Sequence, residues 1–179
     1  MKYRSLSNTS FDELFEAFQQ AFADYEIQLD KGEHWAMLKR RGFNPELSFA
    51  AFDENKIVSF TCNGIGDFDG IPIAYDTGTG TLKEYRGQGL ATQVFEYSIP
   101  YLKQAGIKEY LLEVLQHNTG AVSVYKKIGF EVSREFYYFR PKISQIMTEV
   151  KGVGFPYTIQ PIDINKHDSI PSFWDFKPS

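Results

Sequence analysis

The spacing of apolar residues switches along the chain between a period of about 3.6 and a period of about two, which predicts helices and strands in alternation. Ser10 with Glu13 forms a capping-box pattern before the first helical stretch, and Asp30 is a candidate N-cap for the second. Helices are predicted over residues 11–23, from 30 to 42, over 88–105 and over 119–127, and strands over 3–6, 47–52, 57–62, 71–82, 110–115 and 130–139. This order of elements predicts an α/β fold.

Glycine interrupts the pattern at two places in the middle of the chain. Residues 64–70 are rich in glycine and aspartate, and we predict a loop there. Gly78 and Gly80 lie inside the strand that follows, and glycine within a strand indicates a β-bulge or a close approach of another backbone. We therefore expect an irregular strand just before residue 81.

The stretch from Thr81 to Thr92 joins this strand to the third helix through a turn that contains Gly87 and Gly89. The first N–H groups of a helix have no partner within it, and glycine lets a ligand approach the backbone closely. A strand, a glycine turn and a helix start together predict an anion site, most naturally for phosphate. No Gly-Lys-Ser/Thr follows, and Arg86 occupies the first glycine position of the dinucleotide fingerprint, so neither of those two motifs is present. The alternative is an ordinary strand-to-helix connection with a solvated arginine.

Two motifs carry a family resemblance. Arg86 to Ala91 resembles the Arg/Gln-x-x-Gly-x-Gly/Ala signature of the GNAT superfamily of acyl-CoA N-acyltransferases. Residues 118–130 resemble the Asn-x-x-Ala-x-x-x-Tyr-x-x-x-Gly-Phe segment of the same family. The resemblance covers roughly residues 1–140 and implies a mixed central sheet flanked by helices, with a bulged, splayed pair of parallel strands.

The resemblance also implies a site for acetyl-CoA as co-substrate. The pantetheine arm would add to the exposed backbone of the first splayed strand, and an N–H group near Thr81 or Leu82 would stabilise the oxyanion. The pyrophosphate would take the N–H groups from Gly87 to Thr92, with Arg86 as a nearby charge. The cofactor-binding residues implied in this way are Thr81, Leu82, Arg86, Gly87, Gln88, Gly89, Leu90, Ala91, Thr92 and Asn118.

Acyl transfer to an amine requires a neutral amine, a stabilised oxyanion and a proton for the departing thiolate. Tyr125 is the candidate acid for the thiolate, and the alternative is a core tyrosine that packs ahead of the following Gly-Phe. Glu113 is the candidate base, and Asp76 is a second one for which an ion pair or a solvated strand end is favoured. Tyr25, in the break between the first two helices, is a candidate for the wall of the acceptor pocket, or a residue that packs one helix on the other.

Composition narrows the class of protein. The 179 residues carry a formal net charge of −4 without a block of basic residues, which gives no support for nucleic-acid binding. Cys62 is the only cysteine, so no internal disulfide is possible, and a buried thiol and a cytoplasmic location are expected. The three histidines show no metal-ligand spacing, and neither a secretory signal nor a membrane-spanning run is apparent, so no metal and no membrane are expected.

Residues 1–140 are therefore predicted to form a GNAT-like N-acetyltransferase that acts on a small-molecule or peptide amine. A domain that binds acyl-CoA without turnover, as a sensor or regulator, is the main alternative, and a structural or oligomerisation module is a third. Residues 141–179 form a C-terminal extension, which is an added strand, an arm exchanged with a second copy, or the stub of a second domain. Strand character at 155–162 predicts pairing with a sheet edge, in this copy or in a homodimer.

Overall fold

The computed structural model describes residues 1–25, 28–68 and 70–137. The strands are β1 (Lys2–Ser5), β2 (Phe49–Asp53), β3 (Lys56–Phe68), β4 (Ile71–Thr81) and β5 (Glu109–Leu111), and the helices are α1 (Phe11–Ala21), α2 (Lys31–Arg40), α3 (Leu90–Gln104) and α4 (Thr119–Lys127), with a 3-10 turn at Lys83–Tyr85. The predicted extension at 141–179, including the strand at 155–162, lies outside the described residues.

The five strands form one mixed sheet in the order β1-β2-β3-β4-β5. The pairs β1–β2, β2–β3 and β3–β4 are antiparallel, and the pair β4–β5 is parallel. Helix α3 connects these two parallel strands. The α/β class and the mixed sheet predicted from the sequence are confirmed.

The two helix starts predicted from capping patterns are also confirmed. The Ser10 side chain accepts a hydrogen bond from the Glu13 N–H, and the Glu13 carboxylate accepts one from the Ser10 N–H at 2.8 Å. Asp30 and Glu33 make the same reciprocal pair at the start of α2. These caps satisfy N–H groups that the helices leave free, so both starts are defined by local sequence.

The strands β2 and β3 are buried on both faces. Alternate residues point to opposite sides, where the apolar faces of α1 and α2 cover one side of the sheet and that of α3 covers the other. One core contains Leu14, Ala17, Ala21, Leu38, Ala50, Phe52, Phe60 and Cys62, and the other contains Phe49, Ala51, Val58, Leu90 and Val94. Cys62 is a buried thiol, as predicted.

The prediction of a loop at residues 64–70 is wrong, because β3 continues to Phe68 and pairs with β4 along this length. Gly64 is explained by a close approach rather than a turn: a Cβ there would lie 1.9 Å from the Arg41 carbonyl oxygen. Phe43 forms an isolated bridge to Gly64 at the same point. The glycine thus lets the chain after α2 cross against the sheet.

The strand β4 contains the predicted bulge. Cys62 pairs with Gly78 and Asn63 pairs with Asp76, so Thr77 is the extra residue on β4. Pairing between β4 and β5 ends at Tyr75 and Leu111, just before the bulge. Beyond this point the two parallel strands separate.

Two predicted strands differ from the structure. The run at 110–115 is paired only through Leu111, and this pairing ends just before the bulge in β4. The aromatic run predicted as a strand over 130–139 contains no strand within residues 130–137. Phe130 packs on Phe95, Tyr110 and Tyr125, so its hydrophobicity reflects helix and sheet packing rather than a ladder.

Residues 1–130 form one compact unit, and Glu131–Tyr137 are the described part of a second unit. Within the part of the chain that the structure describes, no helix is both long enough and apolar enough to span a membrane. The same residues contain no group of three or more histidine, cysteine, aspartate or glutamate side chains arranged to hold a metal ion.

Candidate active site

A cavity of about 120 Å³ opens where β4 separates from β5. It lies between β4 and the helices α3 and α4. It joins two implied cofactor residues, Thr81 and Ala91, to the candidate acid Tyr125. The remaining lining residues are Thr61, Thr79, Gly80, Phe95, Ala121, Val124 and Ile128. None of these lining residues carries a charge, so the cavity is a neutral space with hydroxyl groups on its strand side.

The backbone of β4 distinguishes between the two candidate oxyanion donors. The Leu82 N–H donates to the Val58 carbonyl at 3.0 Å, so it is already used in the sheet. Along an antiparallel ladder, hydrogen-bonded residue pairs alternate with pairs whose N–H and C=O groups point away from the partner strand. Thr81, paired with Ser59, therefore directs its N–H away from β3, towards the side on which β5 has separated. Of the two predicted donors, only Thr81 has an N–H that faces the open side.

The turn before α3 leaves its backbone donors free. Gly87 and Gly89 have φ values of 77° and 75°, which residues with a side chain rarely adopt. A Cβ built on Gly87 would meet no atom within 4 Å. Within the described residues, none accepts a hydrogen bond from the N–H groups of Gly87 to Thr92. A row of unpaired N–H groups at a helix start fits an anionic group such as the pyrophosphate of acetyl-CoA.

Arg86 does not project freely beside this turn, in contrast to the expectation of a nearby charge for phosphate. Its guanidinium donates to the Ala21 carbonyl at 2.8 Å, to the Thr81 carbonyl at 3.2 Å and to the Asp24 carboxylate at 3.2 Å. These three bonds tie the end of α1 to the end of β4. The planar fork of arginine suits three such acceptors, and an ammonium group does not.

Arg86→Lys is therefore expected to lower the free energy of unfolding by about 1–3 kcal/mol, because the part-buried bond to the Ala21 carbonyl is lost and the fork geometry cannot be reproduced. Urea unfolding of the variant would measure this loss. Lys83→Ala is the matched control, since Lys83 lies 3.7 Å from the same Asp24 carboxylate and both side chains are exposed. That substitution is expected to change stability by less than about 1 kcal/mol. An Arg86→Lys variant with unchanged stability but weakened CoA binding would return Arg86 to the phosphate role.

Asn118 is the N-cap of α4, and both ends of its amide have partners inside the protein. Its Oδ1 accepts from the Ala121 N–H at 3.2 Å, and its Nδ2 donates to the Tyr25 hydroxyl at 3.0 Å. The implied contact of Asn118 with acetyl-CoA thus stays a prediction, while a capping role is explained. Tyr25 stacks edge-on against Phe22 and remains 42% exposed, so it presents a ring beside the start of α4.

The Tyr125 hydroxyl donates a hydrogen bond to Oδ2 of the Asp76 carboxylate, with 3.0 Å between the two oxygens. The same carboxylate accepts hydrogen bonds from the Thr79 hydroxyl and the Gly78 N–H, each at 2.8 Å. Burial raises the pKa of Asp76, and these hydrogen bonds oppose the rise. Burial, followed by the nearby Asp76 charge, raises the pKa of Tyr125 well above its usual value.

Glu113, the first candidate base, lies on the unpaired segment after β5 and is exposed. The structure therefore joins Tyr125 to the second candidate, Asp76, rather than to Glu113. Two contributors were missed from the sequence: Asp24 as a partner of Arg86, and Thr79 as both a cavity wall and a partner of Asp76. The alternation of threonine and glycine through 77–81 was an available signal for a polar strand face.

A strand edge opened at a bulge, a helix start with unpaired N–H groups and a cavity that joins the two fit the binding of an acyl-CoA thioester. The sequence profile described as "Acetyltransferase (GNAT) family" matches residues 9–130. The chain belongs to this family, whose members use acetyl-CoA, and it is an N-acetyltransferase.

Named relatives agree with this assignment. N-alpha-acetyltransferase 30 of Schizosaccharomyces pombe is 32% identical over 108 residues, covering 58% of this chain and 72% of the relative. N-alpha-acetyltransferase MAK3 of Arabidopsis thaliana is 26% identical over 122 residues, covering 60% of this chain and 64% of the relative. A chain of the NatC complex bound to Gag peptide and CoA shares the fold, with a TM-score of 0.61, 21% identity, and coverage of 73% of this chain and 84% of that one.

Proposed function

We propose that this protein transfers the acetyl group of acetyl-CoA to the α-amine at the N-terminus of a peptide or protein. The single observation that carries the transfer reaction is the cavity that joins the outward-facing end of β4, the start of α3 and Tyr125. The acceptor class is supported by the relatives, two of which are named N-alpha-acetyltransferases.

The chemistry of the cavity favours an α-amine over a lysine side chain. An α-amino group has a pKa of about 7.7–8.0 and a lysine ammonium one of about 10.4, so far more of the α-amine is neutral at physiological pH. The cavity lining has no carboxylate that would strip a proton from a strongly basic ammonium directly. A neutral amine arriving at the open side of β4 would attack the thioester carbon, and the Thr81 N–H would stabilise the oxyanion.

Acetyl-CoA would be held by backbone rather than by charged side chains. Its pyrophosphate would accept from the free N–H groups between Gly87 and Thr92, and its pantetheine arm would lie along the exposed edge of β4. The thioester then reaches the cavity lined by Tyr125. We also infer a cytoplasmic location from the single, buried cysteine, and a homodimer remains a proposal for the C-terminal extension.

A panel of acceptors tests the proposal. The enzyme would be incubated with acetyl-CoA and either a peptide with a free α-amine and no lysine, the same peptide blocked at its N-terminus and carrying one lysine, an aminoglycoside, or a polyamine. Turnover is expected with the first peptide only. Turnover restricted to the blocked peptide, the aminoglycoside or the polyamine would overturn the α-amine assignment while leaving the transferase class intact.

Tyr25 is expected to contribute to acceptor binding. The Tyr25 hydroxyl accepts from Asn118, which leaves its own proton to donate to the acceptor. Tyr25→Phe removes that donor and keeps the ring, so the KM for the acceptor should rise about three- to tenfold, the value of one hydrogen bond. The KM for acetyl-CoA should stay within about twofold. Tyr101→Phe is the matched control, because Tyr101 is also 42% exposed and its hydroxyl shares a hydrogen bond with Tyr97 on the same helix, α3. An equal effect of the two substitutions on the acceptor would remove Tyr25 from the acceptor wall.

A further inference from the structure

The β4 bulge places a carboxylate directly behind the cavity. Asp76 precedes the extra residue Thr77, and its Oδ1 accepts from the Gly78 N–H, which closes a local turn at the bulge. Its other oxygen, Oδ2, accepts hydrogen bonds from the hydroxyl groups of Thr79 and Tyr125. One oxygen thus shapes the strand, while the other is available to the side chains that line the cavity.

The direction of the Tyr125 hydrogen bond has a chemical consequence. Because the hydroxyl proton points at Asp76, the lone pairs of the Tyr125 oxygen are presented to its other neighbours, which are the Thr79 side chain and the cavity that Tyr125 lines. In this state Tyr125 is ready to accept a proton from the cavity, and its own proton can move to the carboxylate. A tyrosine that gave its proton to a thiolate beside an ionised Asp76 would instead leave two adjacent anions, which is costly.

We propose that Asp76 and Tyr125 act as one proton-storing pair, which takes a proton from the acceptor nitrogen and returns it to the CoA thiolate. The inference rests on the proposed N-acetyl transfer and extends it, because it assigns a single site to the base and the acid. Tyr125 is the residue that faces the substrates, and Asp76 is a positioning residue that acts through it.

The two steps balance. Attack of the neutral amine forms the C–N bond and leaves a positively charged nitrogen and an oxyanion on the tetrahedral carbon. The nitrogen gives one proton to the Tyr125 oxygen, while the hydroxyl proton of Tyr125 moves to the Asp76 carboxylate. The C–S bond then breaks with its electron pair on sulfur. The Asp76 proton returns to the tyrosine oxygen, and the tyrosine proton passes to sulfur, giving the amide, the CoA thiol and the original carboxylate.

The surroundings of Asp76 are compatible with a carboxylate that gains and loses a proton. Burial makes its charged form less stable, while Arg41 and the three donors stabilise that form. The titratable or charged groups that face the pair are Arg41 just after α2, Cys62 on β3, Tyr110 on β5 and Tyr25 in the segment after α1. Asp76 and Tyr125 themselves are joined by a hydrogen bond beside the cavity.

A double-mutant cycle of Asp76→Asn and Tyr125→Phe tests the pair, using any primary amine that the wild type acetylates. Asparagine keeps the oxygen that accepts from Gly78 but cannot store a proton. We expect kcat to fall by about 10²–10⁴-fold in each single variant, and the double variant to lose no more than about threefold beyond either one. KM for acetyl-CoA and the melting temperature are measured on the same preparations. Asp67→Asn is the matched control, since Asp67 accepts from the Gly70 N–H at the far end of the same hairpin.

Losses in the two single variants that multiply in the double variant would overturn the pair, because Asp76 would then act independently of Tyr125. An Asp76→Asn enzyme that keeps a third or more of wild-type kcat would overturn it as well. If the wild type turns over only with an amine other than an α-amine, the acceptor assignment fails and the cycle is run on that amine.

If Asp76→Asn does not fold, the pH dependence of wild type and Tyr125→Phe decides the matter. The resting carboxylate must be ionised to take a proton, so its contribution is present above the Asp76 pKa and lost as pH falls through it. An ordinary aspartate has a pKa of about 3.9. Because the pKa of Asp76 is raised, the loss should begin at a higher pH than it would for an ordinary aspartate. The ratio of wild-type to Tyr125→Phe kcat is expected to shrink on this limb, and titration of the acceptor amine cancels in the ratio. A ratio that is flat with pH would overturn the proposal.

Discussion

Tyr125→Phe is expected to lower the rate of acetyl transfer by about 10²–10⁴-fold, the usual contribution of a positioned proton donor or acceptor. The substitution removes only the hydroxyl that lies 3.0 Å from Asp76 and keeps the ring packed edge-on against Phe130. Affinity for acetyl-CoA should change little, because the oxygen acts only as the tetrahedral intermediate forms and breaks. Turnover, acetyl-CoA affinity and melting temperature measured on one preparation would establish the pattern.

A core tyrosine would give the reverse pattern, with a modest loss of stability and normal turnover. Tyr110→Phe is the informative comparison, since Tyr110 is also packed against Phe130 and donates a hydrogen bond, here to Asn63 at 2.6 Å. It does not line the cavity, so its loss is expected in stability rather than in kcat. Near-normal turnover of Tyr125→Phe with an amine whose chemical step limits the rate would eliminate Tyr125 as an essential proton carrier.

Gly89→Asp is expected to weaken CoA binding by more than tenfold, because a carboxylate placed among the free N–H groups at the start of α3 repels the pyrophosphate. The left-handed conformation of Gly89, with φ of 75°, adds strain for any side chain, although aspartate tolerates it better than most residues. Calorimetric titration with CoA measures the effect. Gly89→Ala separates strain from charge, since alanine adds a Cβ without the carboxylate.

Gly106→Asp is the matched control for that substitution. Gly106 follows the other end of α3, has a similar φ of 83°, and has open space around the position of a Cβ. The same residue change there should leave CoA affinity unaltered. Unchanged affinity in a folded Gly89→Asp protein would remove the phosphate assignment from this turn.

The sequence predicted those features that depend on neighbouring residues. The caps at Ser10 and Asp30 are local hydrogen-bond patterns, and the structure contains both. The glycines at 78 and 80 predicted an irregular β4, and a bulge is present at Thr77. The residues of the two motifs also meet as expected, since Ala91 from one and Tyr125 from the other line a single cavity.

Features that depend on residues far apart in the sequence could not be predicted from the pattern of apolar and polar residues. The sequence around Gly64 is typical of a loop, but the structure explains the glycine by the Arg41 carbonyl, which lies too close to leave room for a Cβ. The aromatic run at 130–137 has strand-like composition without a partner strand, and composition alone does not supply one. The sequence places Arg86 beside the phosphate turn, but it does not reveal the contact of Arg86 with Asp24, 62 residues away.

The candidate base illustrates the same limit. The sequence favoured Glu113 as the base, and for Asp76 it favoured an ion pair or a solvated strand end. Only the bulge decides between them: it brings Asp76 under Tyr125, while the end of pairing at Leu111 leaves Glu113 exposed. A one-residue insertion in a ladder changes which side chains face a site, and its location is not encoded by residue type alone.

The central claim is that this chain transfers acetyl from acetyl-CoA to a peptide α-amine at the β4 opening. The most direct measurement follows CoA thiol release and peptide mass in one reaction of the wild-type protein with acetyl-CoA and a peptide that carries a free α-amine. We predict equal amounts of free CoA and of peptide acetylated at its N-terminus, both well above the enzyme-free rate. Tight binding of acetyl-CoA without thiol release above that rate would contradict the account and identify a domain that senses acyl-CoA without turnover.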